Sequence, residues 1–432
     1  MSVNPTIIPL SYEQNMIAYY QSLSMLPGFV LLESIDRHYG RYDIVTALPY
    51  DVQTNKIYPE IPLQRENNHF STLPFTGGVI GALSYEYGMH LRGIKSPVSW
   101  LNIFQYYDWA IIVDHWQKTS VLYARNQQSD TYAIVNDIIK SWCKHYHETS
   151  DITIQRLNSS IDKEVYKKHV LKINEALQAG RCYQVNYTQA FTLDVSTHNP
   201  WDLYCQIRKH NPVPYAAFIK LEKESILSFS PERFLHCSPK GEVLTSPIKG
   251  SASRHTDREL DRQQAEALLA CEKNRAENIM IVDLLRNDLS RVCVPGSVQV
   301  QRLMELQSFP AIHHLVSHII GRLQDGITPL EALLSCFPGG SITGAPKIEA
   351  MKIIAELEPF SRGIYCGSIV YFSSHGQMDA NIAIRTLRSN GKRLCLSAGG
   401  GIVLDSVWED EYAECSTKLM GILKALHAKS QG

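Results

Sequence analysis

A helix-forming run at residues 273–291 puts a carboxylate where the core should be: Glu277 shares a face with Ile281, Leu284 and Leu285 at offsets of four, seven and eight. Burying an ionised group costs several kcal/mol unless a cation or a set of donors compensates, so Glu277 needs a partner. The last helix opens with the capping pair Ser406 and Glu409, then carries Glu411, Glu414 and Lys418 on one side at spacings of three and four. Hard oxygen ligands on two helices, with no His or Cys motif beside them, suit Mg²⁺, which takes one or two protein carboxylates and leaves positions for water and an anion. A solvated charged face explains Glu411, Glu414 and Lys418 as well, and is the commoner use of such spacing.

Two glycine-rich segments offer anion-binding backbone. Pro338, Gly339, Gly340, Ser341, Ile342, Thr343, Gly344, Ala345 and Pro346 precede a helix that stops at Pro359, and proline at a first helical position leaves free N–H groups at a positive helix end. The second, Ser397 to Gly401, reads as a loop between strands whose glycines permit close approach to a ligand or a tight bend. Neither has the Walker or dinucleotide spacing. Arg385 lies in an apolar strand-like run, where a guanidinium calls for a carboxylate, either a ligand's or a structural partner's. Lys249 follows the strand at 242–245, and Glu232 ends the one before it. In a hairpin both reach one cavity, where burial favours a neutral, nucleophilic amine and a protonated acid. Most lysines, however, are simply exposed.

The elements that position these groups are α+β. Up to about residue 125 the chain is mainly sheet, with runs at 29–32, 42–48, 79–85, 109–113 and 121–124. A polar stretch at 147–160 reads as a surface connection. An amphipathic helix follows, with Asp162 as N-cap, Tyr166, Val170, Ile173 and Leu177 inward, and Gly180 as its stop. Late strands at 367–372, 382–387 and 394–397 succeed one another without helices, which favours antiparallel pairing. Lys and Arg total 42 against 43 Asp and Glu, so there is no cationic surplus for nucleic acid or a membrane surface. Ten cysteines without a Cys-x-x-Cys pair, no leader-like start and no long apolar run point to a reducing, cytoplasmic setting.

Together, the segments 183–186, 230–235, 247–251, 275–288, 340–347 and 397–403 resemble the chorismate-utilising enzymes, the family of anthranilate, aminodeoxychorismate, isochorismate and salicylate synthases. The likeness covers about 162–426, with an echo at 31–34 and 75–81. It implies an anthranilate-synthase-like fold, two facing antiparallel sheets flanked by helices, with a β-rich region at 1–150 interwoven with a chorismate-binding catalytic region at 160–432. By that resemblance Glu277 and Glu414 hold Mg²⁺ against the ring carboxylate of chorismate, and Glu411 supports them. Tyr365 and Arg385 clamp the enolpyruvyl carboxylate with backbone of Gly399 and Gly401. His314, Thr343 and Lys418 complete the pocket, and Leu32, Glu33 and Ser34 match a tryptophan pocket.

Within the family, Pro-Ile-Lys-Gly around Lys249 resembles the members that aminate carbon 4; those that aminate carbon 2 usually carry alanine there. The resemblance then implies that Lys249 adds to the ring as Glu232 protonates the departing hydroxyl, and that ammonia displaces the lysine with net retention. The product is 4-amino-4-deoxychorismate, a precursor of para-aminobenzoate and folate. Gln184 stands where water-adding relatives place a lysine base. Nothing resembles a glutamine amidotransferase, so ammonia is expected from a separate component II subunit. Asn274, Ser251 and Ser253 depart from the usual pattern. The competing readings are an anthranilate-forming component I and a non-catalytic chorismate-binding subunit.

Overall fold

The computed structural model describes residues 4–62, 72–96, 101–144, 152–196, 199–309 and 312–427. Every strand pairing among them is antiparallel, and the strands form one twelve-stranded and one ten-stranded sheet. Ile44, Ala217 and Ile226 of the larger sheet pack with Ile80, Ile369 and Tyr371 of the smaller in one buried cluster, so the sheets face each other. Helices cover the rest, and none among the described residues is long and apolar enough to cross a membrane.

The front strands Val30–Glu33, Tyr42–Thr46, Gly78–Leu83, Trp109–Asp114 and Thr119–Ala124 form where β-branched and aromatic residues predict them. Val30–Glu33 pairs with Tyr215–Lys220 in the larger sheet, and Gly78–Leu83 with Ser368–Ser373 in the smaller. Helices Ile17–Leu23, Tyr85–Leu91 and Thr131–Ser141 also lie in this front part; the first two span seven residues each, too few for helical periodicity to stand out. Helix Lys163–Gln178 is as expected: Asp162 caps it by accepting from the Val165 N–H, its four predicted apolar residues are buried, and Gly180 adopts φ +70° beyond its end.

Four local readings need correction. The stretch at 147–160 is not merely a connection: Ile154–Ser159 is a strand paired to Gln184–Val195, while 147–151 lie outside the described residues. Ser397 to Gly401 is no loop, but the end of the long strand Arg393–Ile402. Ser406 forms no capping box with Glu409; its hydroxyl donates to Glu411 Oε1 at 2.6 Å and accepts from the Val403 N–H. Finally, residues 382–385 are not strand. They join Met378–Asn381 in the smaller sheet to Thr386–Ser389 in the larger.

That last junction has a twin. Ser225–Ser230 belongs to the larger sheet and Arg233–Cys237 to the smaller, so the chain also changes sheets at 231–232. The two junctions are hydrogen-bonded neighbours: the Ile382 N–H donates to the Glu232 carbonyl, the Phe229 N–H to the Arg385 carbonyl, and the Ser230 hydroxyl to the Ile382 carbonyl. Arg385 has φ +50° there, a conformation that a non-glycine residue adopts at a cost.

Behind the junctions lies a buried ion pair. Arg362 meets Glu358 and also donates to the carbonyls of Asn186 and Ile342, while Glu358 accepts from the Thr188 N–H and hydroxyl. The pair ties strand Gln184–Val195 to the turn at 340–342. Removing the guanidinium strands a buried carboxylate, so Arg362→Met is expected to cost about 3–5 kcal/mol. Urea unfolding measures this; a loss under about 1 kcal/mol would mean that Glu358 finds other donors.

Candidate active site

Strands Arg233–Cys237 and Glu242–Ser246 form the hairpin that the sequence suggested. Glu232 precedes the first and Lys249 follows the second, so both emerge at the same end. Glu232 is buried, and burial pushes its carboxyl up to about 7 despite the nearby Lys249 amine and the hydrogen bond from Ser341. Burial equally pulls Lys249 below the ordinary lysine range, against the pull of Glu232 and Glu277. Lys249 Nζ donates to the Ser341 carbonyl at 2.9 Å, and the Ser341 hydroxyl donates to Glu232 Oε1 at 2.8 Å. An amine and an acid that both tend toward neutrality are thus bridged by one residue.

Glu277, on helix Glu272–Ser290, is half-buried with Ile281 and Leu285 inward beside it. Among the described residues its carboxylate has no hydrogen bond or ion pair, yet it lies close enough to act on Lys249 electrostatically, as do Glu414 and Lys418. Helix Trp408–His427 brings in the other acids. Glu411 is buried and its Oε2 has no partner. Burial raises its pKa, and Glu414 adds to the rise. A Cβ on Gly400 would lie 2.9 Å from Glu411 Oε2 and 3.5 Å from Glu414 Oε2, so both carboxylates face the bare strand backbone at that glycine. Lys418 pairs with Glu414 at 2.6 Å and donates to the Gly399 carbonyl at 2.7 Å. Glu411 is thus packed against strand Arg393–Ile402, while Glu414 and Lys418 are exposed and pair with each other at the edge of that strand. No three His, Cys, Asp or Glu side chains among the described residues close on one point; an orphaned carboxylate oxygen and an unpaired glutamate still fit a hard cation that completes its shell with water and substrate.

Several of the groups expected to bind an anion lie near the sheet junctions. Arg385 is half-buried and has no carboxylate partner among the described residues, so the structural ion pair is not formed, and burial lowers its pKa. Tyr365 is buried one residue before Cys366, whose N–H donates to the Ala383 carbonyl beside Arg385. His314 hydrogen-bonds Ser251 at 2.6 Å, and burial with Arg385 nearby brings it down to about 3, so it is a neutral imidazole. Thr343 is buried and donates to the Gly339 carbonyl. Asn274 packs against Gly250, its Cγ 3.2 Å from where a Cβ there would stand.

Strand Arg393–Ile402 sets Gly401 opposite Asn186 and Gly399 opposite Thr188. A Cβ at 401 would come 2.4 Å from Gln184 Nε2, so the Gln184 amide lies directly against the bare backbone of that glycine. The Gln184 amide is wholly buried and neither polar atom has a partner. Leu32, Glu33 and Ser34 lie apart, lining a cavity of about 370 Å³ with Tyr215, Arg233 and Asp379, and Glu33 is already engaged by Tyr204 and Arg208. A larger groove of about 1200 Å³, near Tyr50 and Lys220, contains none of the candidate residues. Sequence reasoning missed Ser341; a hydroxyl among glycines gave no hint that both its polar atoms would be used.

A profile of the chorismate binding enzyme family matches residues 39–424, and the chain belongs to that family. It is 39% identical to aminodeoxychorismate synthase component 1 of Escherichia coli, covering 98% of this chain and 99% of that one. The Bacillus subtilis protein of the same name is 34% identical over 85% of this chain and 81% of its own length. Among solved structures, anthranilate synthase component I from Streptococcus pneumoniae superposes with a TM-score of 0.78 at 29% identity, covering 89% of this chain and 92% of that one.

A carboxyl that titrates near 7 when folded, against 4.5 ordinarily, holds its proton more tightly in the folded state, so stability falls as pH rises between those values. Glu232→Gln is expected to flatten that fall by up to about 3 kcal/mol. Urea unfolding across this range reads the slope, and identical slopes in both proteins would show that Glu232 titrates normally.

Proposed function

We propose that this chain is the chorismate-aminating component of an aminodeoxychorismate synthase, forming 4-amino-4-deoxychorismate from chorismate and ammonia. The observation that carries the reading is the juxtaposition of Lys249 and Glu232, each shifted by burial toward its neutral form. The neutral amine attacks carbon 2, the ring double bond shifts, and the carbon 4 hydroxyl leaves as water with the proton of Glu232. Ammonia then bonds to carbon 4, the double bond shifts back and the lysine amine is released. Two allylic displacements give retention.

Chorismate carries two carboxylates. For one, Arg385 supplies an unpaired guanidinium, with Tyr365 and the backbone of Gly399 and Gly401 beside it; Lys418, Thr343 and neutral His314 bound the ring. For the other, we propose Mg²⁺ held by Glu277 and Glu414 with Glu411 behind them, a reading supported by the unpartnered Glu411 Oε2. When bound, the ion neutralises the ring carboxylate and fixes the ring over Lys249. Ammonia comes, on this reading, from a glutamine amidotransferase partner. The cavity at Leu32, Glu33 and Ser34 suits a small amphipathic ligand such as tryptophan. Ten free cysteines fit a cytoplasmic enzyme.

Incubation with chorismate, Mg²⁺ and ammonium, followed by mass spectrometry, is expected to yield aminodeoxychorismate. Anthranilate would overturn the assignment in favour of amination at carbon 2. Lys249→Ala is expected to lower turnover with ammonia by at least about 100-fold while unfolding as the parent does; retained turnover would remove the covalent step. Independently of activity, Mg²⁺ is expected to raise the melting temperature of the parent but not of a Glu277→Gln, Glu414→Gln double variant. An equal rise in both would rule out those ligands.

A further inference from the structure

Ser341 lies in the turn Gly340–Ile342, 5% exposed, and meets both reacting side chains through different atoms. Its carbonyl accepts from Lys249 Nζ at 2.9 Å; its hydroxyl donates to Glu232 Oε1 at 2.8 Å. The turn itself is tightly placed. A Cβ on Gly340 would lie 2.3 Å from Leu284 Cδ2, and one on Gly339 2.7 Å from Ile382 Cδ1, so it is wedged between the helix of Glu277 and the sheet junction of Arg385. Thr343 closes it by donating to the Gly339 carbonyl at 2.8 Å.

A carboxylic acid keeps its proton on one oxygen, and an oxygen that already accepts a hydrogen bond is the poorer place for it. An amine that donates to a carbonyl has its lone pair directed away from that carbonyl. We propose that Ser341 is the positioning residue of the reaction: its hydroxyl, with the Ile248 N–H, sets the orientation of the Glu232 carboxyl, and its carbonyl aims the Lys249 lone pair at the substrate. Nucleophile and acid are thereby registered to each other through one residue, so that attack at carbon 2 and departure of the hydroxyl from carbon 4 draw on groups held in a constant relation. Ser341 itself forms no covalent bond to the substrate and gains or loses no proton. The inference rests on the roles given above to Lys249 and Glu232.

Ser341→Ala keeps the carbonyl and removes only the hydroxyl. With chorismate and saturating ammonium, kcat is expected to fall about 10- to 100-fold while KM for chorismate changes less than about twofold; Ser341→Thr, which restores a hydroxyl, recovers most of kcat. A purely structural role would weaken KM and stability together and would leave the threonine variant no better than alanine. If Ser341→Ala fails to unfold cooperatively, Ser341→Cys, which keeps the volume but offers a weak donor, is expected to show the same fall in kcat at constant KM. Lys249→Ala is assayed in parallel. If it is inactive while Ser341→Ala and Ser341→Cys keep kcat within about threefold, the positioning role is overturned and the covalent reading stands. If Lys249→Ala turns over normally, both fall together.

Discussion

Two neighbouring strands leave one sheet for the other at the same level, and that shared crossing decides where chemistry is possible in this protein. Inside a continuous sheet every backbone group is committed to the ladder and side chains alternate between faces. At a crossing the ladder is interrupted, and a side chain is free to point between the sheets. Glu232 and Arg385 occupy the two crossings, hydrogen-bonded across to each other's strands. The left-handed backbone at Arg385 is the local cost of the arrangement. Hydrogen bonds at Ser230, Phe229 and Ile382, and the buried Arg362 and Glu358 behind the neighbouring strand, are what make the crossing rigid enough to bear it.

The charges around the crossing are unusually under-compensated. Arg385 and Glu277 have no side-chain partner among the described residues, and Glu411 keeps one orphaned oxygen. Elsewhere many buried charges are paired, as in Arg208 with Glu33 or Lys347 with Asp288, although Asp36, Asp108 and Arg125 each keep one buried atom without a hydrogen bond. Two unpaired side chains and an orphaned carboxylate oxygen gathered at one place leave there free energy that a dianionic ligand and a cation would recover on binding. Glycine at 399, 400 and 401 serves the same end, since any side chain would collide with Tyr187, Glu411 or Gln184 and fill the space.

Much of this was legible in the residues. Antiparallel α+β architecture follows from strands that succeed one another through short turns, and the Lys163–Gln178 helix was readable from its N-cap to its glycine. Lys249 and Glu232 could be placed together because a hairpin is a local structure, although Glu232 stands before the strand Arg233–Cys237 and not at the end of one. What stayed hidden is non-local. Apolar residues at 382–384 look like strand whether the chain stays in one sheet or changes to another, so the crossing at Arg385 was invisible. The three glycines looked like a loop because strand propensity disfavours them, yet pairing with Gln184–Val195 overrides that preference. Ser406 had the spacing of a cap but found a stronger acceptor in Glu411. Ser341 could not have been singled out, since its function depends on two side chains about a hundred residues away in sequence.

On the proposed function, Gln184 bears on which nucleophile the site would use. Its amide is buried in the site without a protein partner, able to donate and accept hydrogen bonds but unable to take a proton near neutral pH. Water attacks carbon effectively only if a base removes its proton, and a lysine at this position would serve as one. Ammonia arrives with a nucleophilic lone pair and needs orientation, not deprotonation, before attack. On the proposed function, a neutral amide at 184 would withhold such assistance from water while still offering ammonia a hydrogen bond.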